Sequence, residues 1–73
     1  GFIEVHLYVE RGGTIERAKI FGDFFASNPI EDLENQLIGL KHSEIEIEKM
    51  LQSNDLTLYF GKVTMNEIME LFR

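Results

Sequence analysis

The sequence predicts an α+β domain in which an antiparallel hairpin or small sheet, with room for a third strand from upstream sequence, is covered by three to four short helices. Three observations carry that prediction. Residues 2 to 10 alternate, with Ile3, Val5, Leu7 and Val9 on one side and Glu4, His6, Tyr8 and Glu10 on the other, which is the period of a half-buried strand. Gly12-Gly13 then offers the positive φ angles of a tight turn ahead of a second apolar stretch over residues 14 to 21. Beyond residue 27 the pattern changes, and Asn28, Ser43 and Thr64 each stand three positions before a glutamate (Glu31, Glu46, Glu67), the spacing of a helix N-terminus.

The second strand is less regular than the first. Ile15 and Phe21 fall on the opposite phase from Ala18 and Ile20, so either a bulge resets the phase or both faces are partly covered. A lone hairpin is marginal in water, so helices must cover its apolar face. In the first helix Pro29 takes the first helical position behind Asn28. Ile30, Leu33, Leu37 and Ile38 share one side, and Gly39 marks the stop about three turns on. Residues 44–48, Glu-Ile-Glu-Ile-Glu, pull two ways: their period of two reads as a strand, while the Ser43 cap and Lys49-Met50-Leu51 favour a helix, the reading taken. Leu56, Leu58, Tyr59 and Phe60 are expected to form a short helical turn that plugs an apolar gap. In the last helix Thr64 opens a capping box, and Val63 and Ile68 occupy the two positions of a hydrophobic staple.

The bulk properties bound the function. A chain of 73 residues makes one small domain that removes only about 60 % of its unfolded surface from water. The 44 % hydrophobic content is ordinary for a globular chain, and no apolar run reaches the roughly 18–20 residues of a membrane span. Thirteen acidic against seven basic residues give a charge of −6, which repels a phosphate backbone and argues against nucleic acid as a partner. The absence of cysteine excludes disulfides, thiolate catalysis and Cys-based zinc sites, and a small domain without staples fits the cytoplasm or a larger protein. Because the sequence opens at Gly1 and enters a strand pattern at once, residues 1–73 are expected to be one domain of a longer protein, with a neighbouring domain upstream.

Few residues carry a chemical reading. Gly22-Asp23-Phe24-Phe25, at the end of the second strand, sets two aromatic rings beside a carboxylate and after a glycine that permits unusual backbone angles. It reads either as a loop facing a partner domain or as a bend in which Asp23 accepts backbone hydrogen bonds and both rings join the core. His6 is flanked on its strand face by Glu4 and Tyr8, a pairing suited to proton transfer or metal binding, but also the ordinary look of a solvated strand face. His42 is the only other histidine. Ser27, Ser43 and Ser53 sit at loops or helix starts without a nearby histidine and read as caps. Glu34 and Glu44 through Glu48 read as solvated faces. Neither a catalytic residue nor a metal site is expected within these residues.

Taken in order, the Ile3-Glu4-Val5-His6 strand, the Gly12-Gly13 turn, Gly22-Asp23-Phe24-Phe25, Ile30-Glu31-Asp32-Leu33-Glu34, Leu37-Ile38-Gly39 and Tyr59-Phe60-Gly61 resemble the C-terminal accessory domain of bacterial lipoate-protein ligases. The resemblance covers nearly the whole chain, although no single piece of it is a catalytic signature. It implies a parent enzyme that activates lipoate with ATP and Mg to lipoyl-adenylate and transfers the lipoyl group to a lysine of an acceptor domain. The activating lysine and the ligand-binding residues of that family belong to an N-terminal catalytic domain, and none of their motifs occurs here. The resemblance also implies that the small domain packs beside the active site and swings during the cycle, with Gly22, Asp23, Phe24 and Phe25 facing the catalytic domain and Glu4 and His6 matching the first-strand pattern. The arrangement is similar, too, to sulfur-acceptor proteins of iron-sulfur cluster assembly, whose acceptor cysteine is missing here. The rival from another class is a protein-interaction module unrelated to lipoate, binding through the Phe24-Phe25 loop.

Overall fold

The computed structural model describes residues 2–23 and 27–73. Two antiparallel strands, β1 (Ile3–Val9) and β2 (Ile15–Gly22), lead into α1 (Glu31–Leu37), α2 (Glu44–Gln52), the single turn α3 (Thr57–Phe60) and α4 (Met65–Phe72). The predicted α+β architecture is the one observed.

The irregular phase of β2 resolves as a bulge. Tyr8 pairs with Arg17 and Val9 with Ile15, which leaves Glu16 as the extra residue. The slip turns Ile15 to the same face as Ala18 and Ile20, and all three are buried, so the sheet has one apolar face packed on helices and one open face. At the turn, Gly13 alone of the glycine pair takes a positive φ, 91°, a region in which a Cβ is unfavourable. The Gly13 N–H donates to the Glu10 carbonyl (2.9 Å) and the Thr14 N–H to the Glu10 carboxylate (2.8 Å). That backbone bond from Thr14 holds the Glu10 carboxyl below the ordinary carboxylate range.

Glu34 is the main correction to the solvated-face reading. It is only 7 % exposed, and its carboxylate accepts the Ile20 N–H at 2.8 Å. That donor points away from β1, so α1 closes a position on the outer edge of β2. The start of the same edge is closed by residues 39–42: the Ile15 N–H donates to the Leu40 carbonyl (2.7 Å), the Gly39 N–H to the Ile15 carbonyl (2.8 Å) and the His42 N–H to the Gly13 carbonyl (2.8 Å). At the positions filled this way the edge offers no template for unwanted pairing.

The helix starts divide into one that matches its sequence signal in full and two that do not. In α4 the Glu67 N–H donates to the Thr64 hydroxyl (3.2 Å) and the Thr64 N–H to the Glu67 carboxylate (2.9 Å), a closed capping box, with Val63 packed on the core behind it. In α2 the Ser43 hydroxyl accepts the Glu46 N–H (3.3 Å), but the Glu46 carboxylate accepts from the Lys41 N–H (3.4 Å), so only one arm of the box is made. In α1 Asn28 is not the cap. The helix begins at Glu31 behind Ile30, without a side-chain cap, and the backbone N–H groups of Ser27 and Asn28 both donate to the Leu58 carbonyl (2.8 and 3.0 Å). It is correspondingly short, seven residues, and ends before Ile38, which is exposed rather than part of the buried stripe. Thr64→Ala is therefore expected to lower stability by about 1 kcal/mol, whereas Asn28→Ala stays within about 0.5 kcal/mol, as measured by urea unfolding.

The helical reading of residues 44–48 holds. Ile47 is fully buried while Ile45 is 71 % exposed, so the period-two pattern does not describe two equivalent isoleucines. In α3, Leu56, Tyr59 and Phe60 fill the expected gap and Leu58 stays partly outside. The large side chains buried completely are Ile15, Leu33, Leu37, Ile47, Leu51 and Ile68, contributed by β2 and three of the helices. The start of α2 is tied to the end of α4: His42 donates from Nε2 to the Phe72 carbonyl at 2.9 Å, and Arg73 pairs with Glu44 and Glu70. These carboxylates, Glu44 foremost, raise the Arg73 pKa above its ordinary value.

Candidate functional site

The face of the hairpin turned away from the core, which among the described residues no helix covers, holds Glu4, His6 and Tyr8 on β1 opposite Phe21, Lys19 and Arg17 on β2. Alternation puts all six side chains on the side away from the core, and all six residues are exposed. His6 is fixed there from two directions. Its Nε2 donates to the Glu4 carboxylate at 2.7 Å, and its ring meets Phe21 edge-on, with centroids 5.5 Å apart and planes at 82°. Among the described residues neither Arg17 nor Lys19 has an ion-pair partner.

At the open end of the hairpin, the Asp23 carboxylate accepts the Phe2 N–H at 2.5 Å and the Asp23 N–H donates to the Phe2 carbonyl at 3.2 Å. Asp23 thus ties the last residues of β2 to the segment entering β1, the bend-stabilising role that its residue type suggests. Gly22 ends β2 opposite Ile3. Positive φ occurs at Gly13, Gly39 and Gly61, so the backbone freedom expected of Gly22 is used elsewhere. Phe24 and Phe25 lie outside the described residues. A groove of about 520 Å³ is lined by Phe2 and Asp23 together with Gly61, Lys62, Val63 and, from α4, Ile68 and Leu71.

The polar pair His6 with Glu4 lies open to water, and among the described residues no hydroxyl is bonded to it. A nucleophile and its base act within hydrogen-bond reach of each other. Among the described residues no three His, Asp or Glu side chains converge to hold a metal. His42 is bonded to the end of α4, on the helical side of the domain.

Residues 1–72 match the family model described as the bacterial lipoate protein ligase C-terminus. The chain belongs to this family. It is 45 % identical over 71 residues to lipoate–protein ligase 1 of Staphylococcus aureus, 38 % identical to lipoate-protein ligase LplJ of Bacillus subtilis and 34 % identical to the lipoate–protein ligase of Streptococcus pyogenes. Each match covers 97 % of this chain and 21 % of the relative, so the chain spans about a fifth of the length of these proteins. The resemblance drawn from the strand, turn and helix motifs is therefore correct. Among the described residues no helix is long and apolar enough to cross a membrane.

The sequence placed Glu4, His6 and Tyr8 on one face of β1 but did not bring Arg17, Lys19 or Phe21 of β2 to that face. The signal was present in the phase conflict of β2. Once a bulge is placed between Ile15 and Arg17, residues 17, 19 and 21 must share the face of residues 4, 6 and 8.

Proposed function

We propose that this domain is the accessory unit of a lipoate–protein ligase. It assists ATP-dependent activation of lipoate to lipoyl-adenylate by a catalytic domain that precedes it in the same chain, for transfer to a lysine of acceptor proteins. The observation that carries the reading is the family match over residues 1–72. The parent is then an ATP-dependent ligase of the cytoplasm, while these residues by themselves turn over nothing.

The residues present do not fit a nucleotide or Mg site. No carboxylate cluster converges among the described residues, and at both long helix N-termini the cap hydroxyl already accepts a first-turn N–H, Ser43 that of Glu46 and Thr64 that of Glu67, with glutamates in the same turn, where a phosphate would need open donors and no nearby negative charge. ATP, Mg and lipoate are accordingly assigned to the catalytic domain. What this domain contributes is position: its Gly22-Asp23-Phe24-Phe25 segment, together with Glu4 and His6, meets the catalytic domain during adenylation and withdraws for transfer, as a lid does.

In the full-length enzyme, Asp23→Ala and Phe24→Ala are expected to slow adenylation several-fold while transfer from preformed lipoyl-adenylate is largely kept. Asp23→Asn separates structure from contact, because its amide oxygen still accepts the Phe2 N–H. A contact role through charge slows Asp23→Asn as well. Equal losses in adenylation and transfer reject the accessory role and favour the interaction-module reading.

A further inference from the structure

We infer that the open face of the hairpin, centred on His6, Tyr8 and Phe21 and flanked by Arg17 and Lys19, is a docking surface for an acidic patch on the domain that precedes it in the same chain. The inference rests on the accessory-domain reading and adds which face is used and what chemistry meets it. Three observations carry it.

The first is aromatic exposure. Phe21 is 51 %, Phe2 59 % and Tyr8 63 % exposed, and all three belong to one phase of the hairpin or to the segment entering it. Aromatic rings grouped on a surface mark contact sites more often than single exposed apolar residues do. The second is charge. From the first residue through Asp23 there are four acidic and three basic residues, whereas the rest of the chain carries nine and four. The acidity thus lies with the helices. On the open face Arg17 and Lys19 stand without ion-pair partners among the described residues, and Glu4 is engaged by His6. A partner carboxylate gains two unpaired cations there without displacing an existing pair.

The third is size and place. A ladder of seven to eight residues per strand presents a face of about 23 by 10 Å, or about 230 Å², against the roughly 800 Å² per partner that a free-standing interface buries. So small a face is filled usefully only by a partner held at high local concentration, which covalent linkage provides and a second copy of this chain does not. The segment entering β1 lies at the same end of the sheet, where Phe2 is tied to Asp23, and the relatives are about five times as long as this chain.

The test is photo-cross-linking in the full-length chain. A benzoyl-phenylalanine probe replaces Tyr8, with a second variant at Lys19 and a control at Ile45 on the acidic helical side. The expected result is an intramolecular cross-link from positions 8 and 19 to a peptide upstream of residue 1 rich in Asp and Glu, with only background from position 45. Its yield should fall at least about threefold on raising salt from about 50 to about 500 mM, or on Arg17→Glu with Lys19→Glu when read from position 8. Cross-linking from position 45 instead of 8 overturns the proposal, as does a yield indifferent to salt and charge reversal, or a product that forms only between molecules. Adenylation is assayed separately. If the domain proves dispensable for it while the cross-link forms, the docking face stands and the accessory function falls.

Discussion

Leu51→Ala is expected to lower the unfolding free energy by about 3 kcal/mol, within the roughly 2–5 kcal/mol found for large-to-small changes at sites that cannot collapse. Leu51 is fully buried on α2, and α2 packs against both α1 and α4. The cavity would therefore lie between three helices that are each pinned elsewhere: α1 by Glu34 to β2, α4 by its capping box, and α2 by His42 and Arg73 to the end of α4. A domain of 73 residues has a total stability of only about 4–11 kcal/mol, so the change removes a large share of it and lowers the melting temperature by about 12–24 °C. Ile45→Ala, nearly two turns earlier on the same helix but mostly in water, is expected to stay within about 0.5 kcal/mol. Thermal unfolding of the two variants side by side checks the assignment; similar losses would mean that α2 turns a different face to the core.

Glu34→Leu is expected to cost about 2 kcal/mol although it replaces a buried charged residue with an apolar one. The Ile20 N–H has no partner in β1 and donates to the Glu34 carboxylate. Removing that acceptor leaves a backbone donor beside a residue that is itself buried, and an unsatisfied buried donor costs about 1–3 kcal/mol. Glu34→Gln keeps an oxygen in place and is expected to retain most of the stability. The two variants differ most clearly in amide hydrogen exchange at Ile20, which should accelerate in Glu34→Leu and remain protected in Glu34→Gln. Equal protection in both would show that Ile20 finds another acceptor.

Most of the architecture was legible in the sequence because it is written in local signals. Alternation through Val9 gives β1, the Gly12-Gly13 turn fixes the antiparallel return, and Thr64 with Glu67 gives the start of α4. The misreadings share one cause: a residue whose local signal was right in type but was engaged by something distant in sequence. Asn28 has the composition of a cap, but its segment is tied to the Leu58 carbonyl, thirty positions away, and the helix starts only at Glu31. Glu34 looks like a solvated helix glutamate, but α1 lies against the edge of β2 and turns it into a ladder acceptor. Ile38 fits the helical stripe, but the chain has already left the helix to run beside β2. The candidate site was half visible for the same reason, since Glu4 and His6 share one strand whereas their neighbours Lys19 and Phe21 reach them only through the register of the hairpin.

The measurement that bears most directly on the accessory role is lipoate-dependent ATP–pyrophosphate exchange by the parent enzyme with and without residues 1–73. Loss of these residues should depress exchange by at least about tenfold, about 1.4 kcal/mol of barrier, while transfer from supplied lipoyl-adenylate continues. Undiminished exchange by the shortened enzyme would contradict that role.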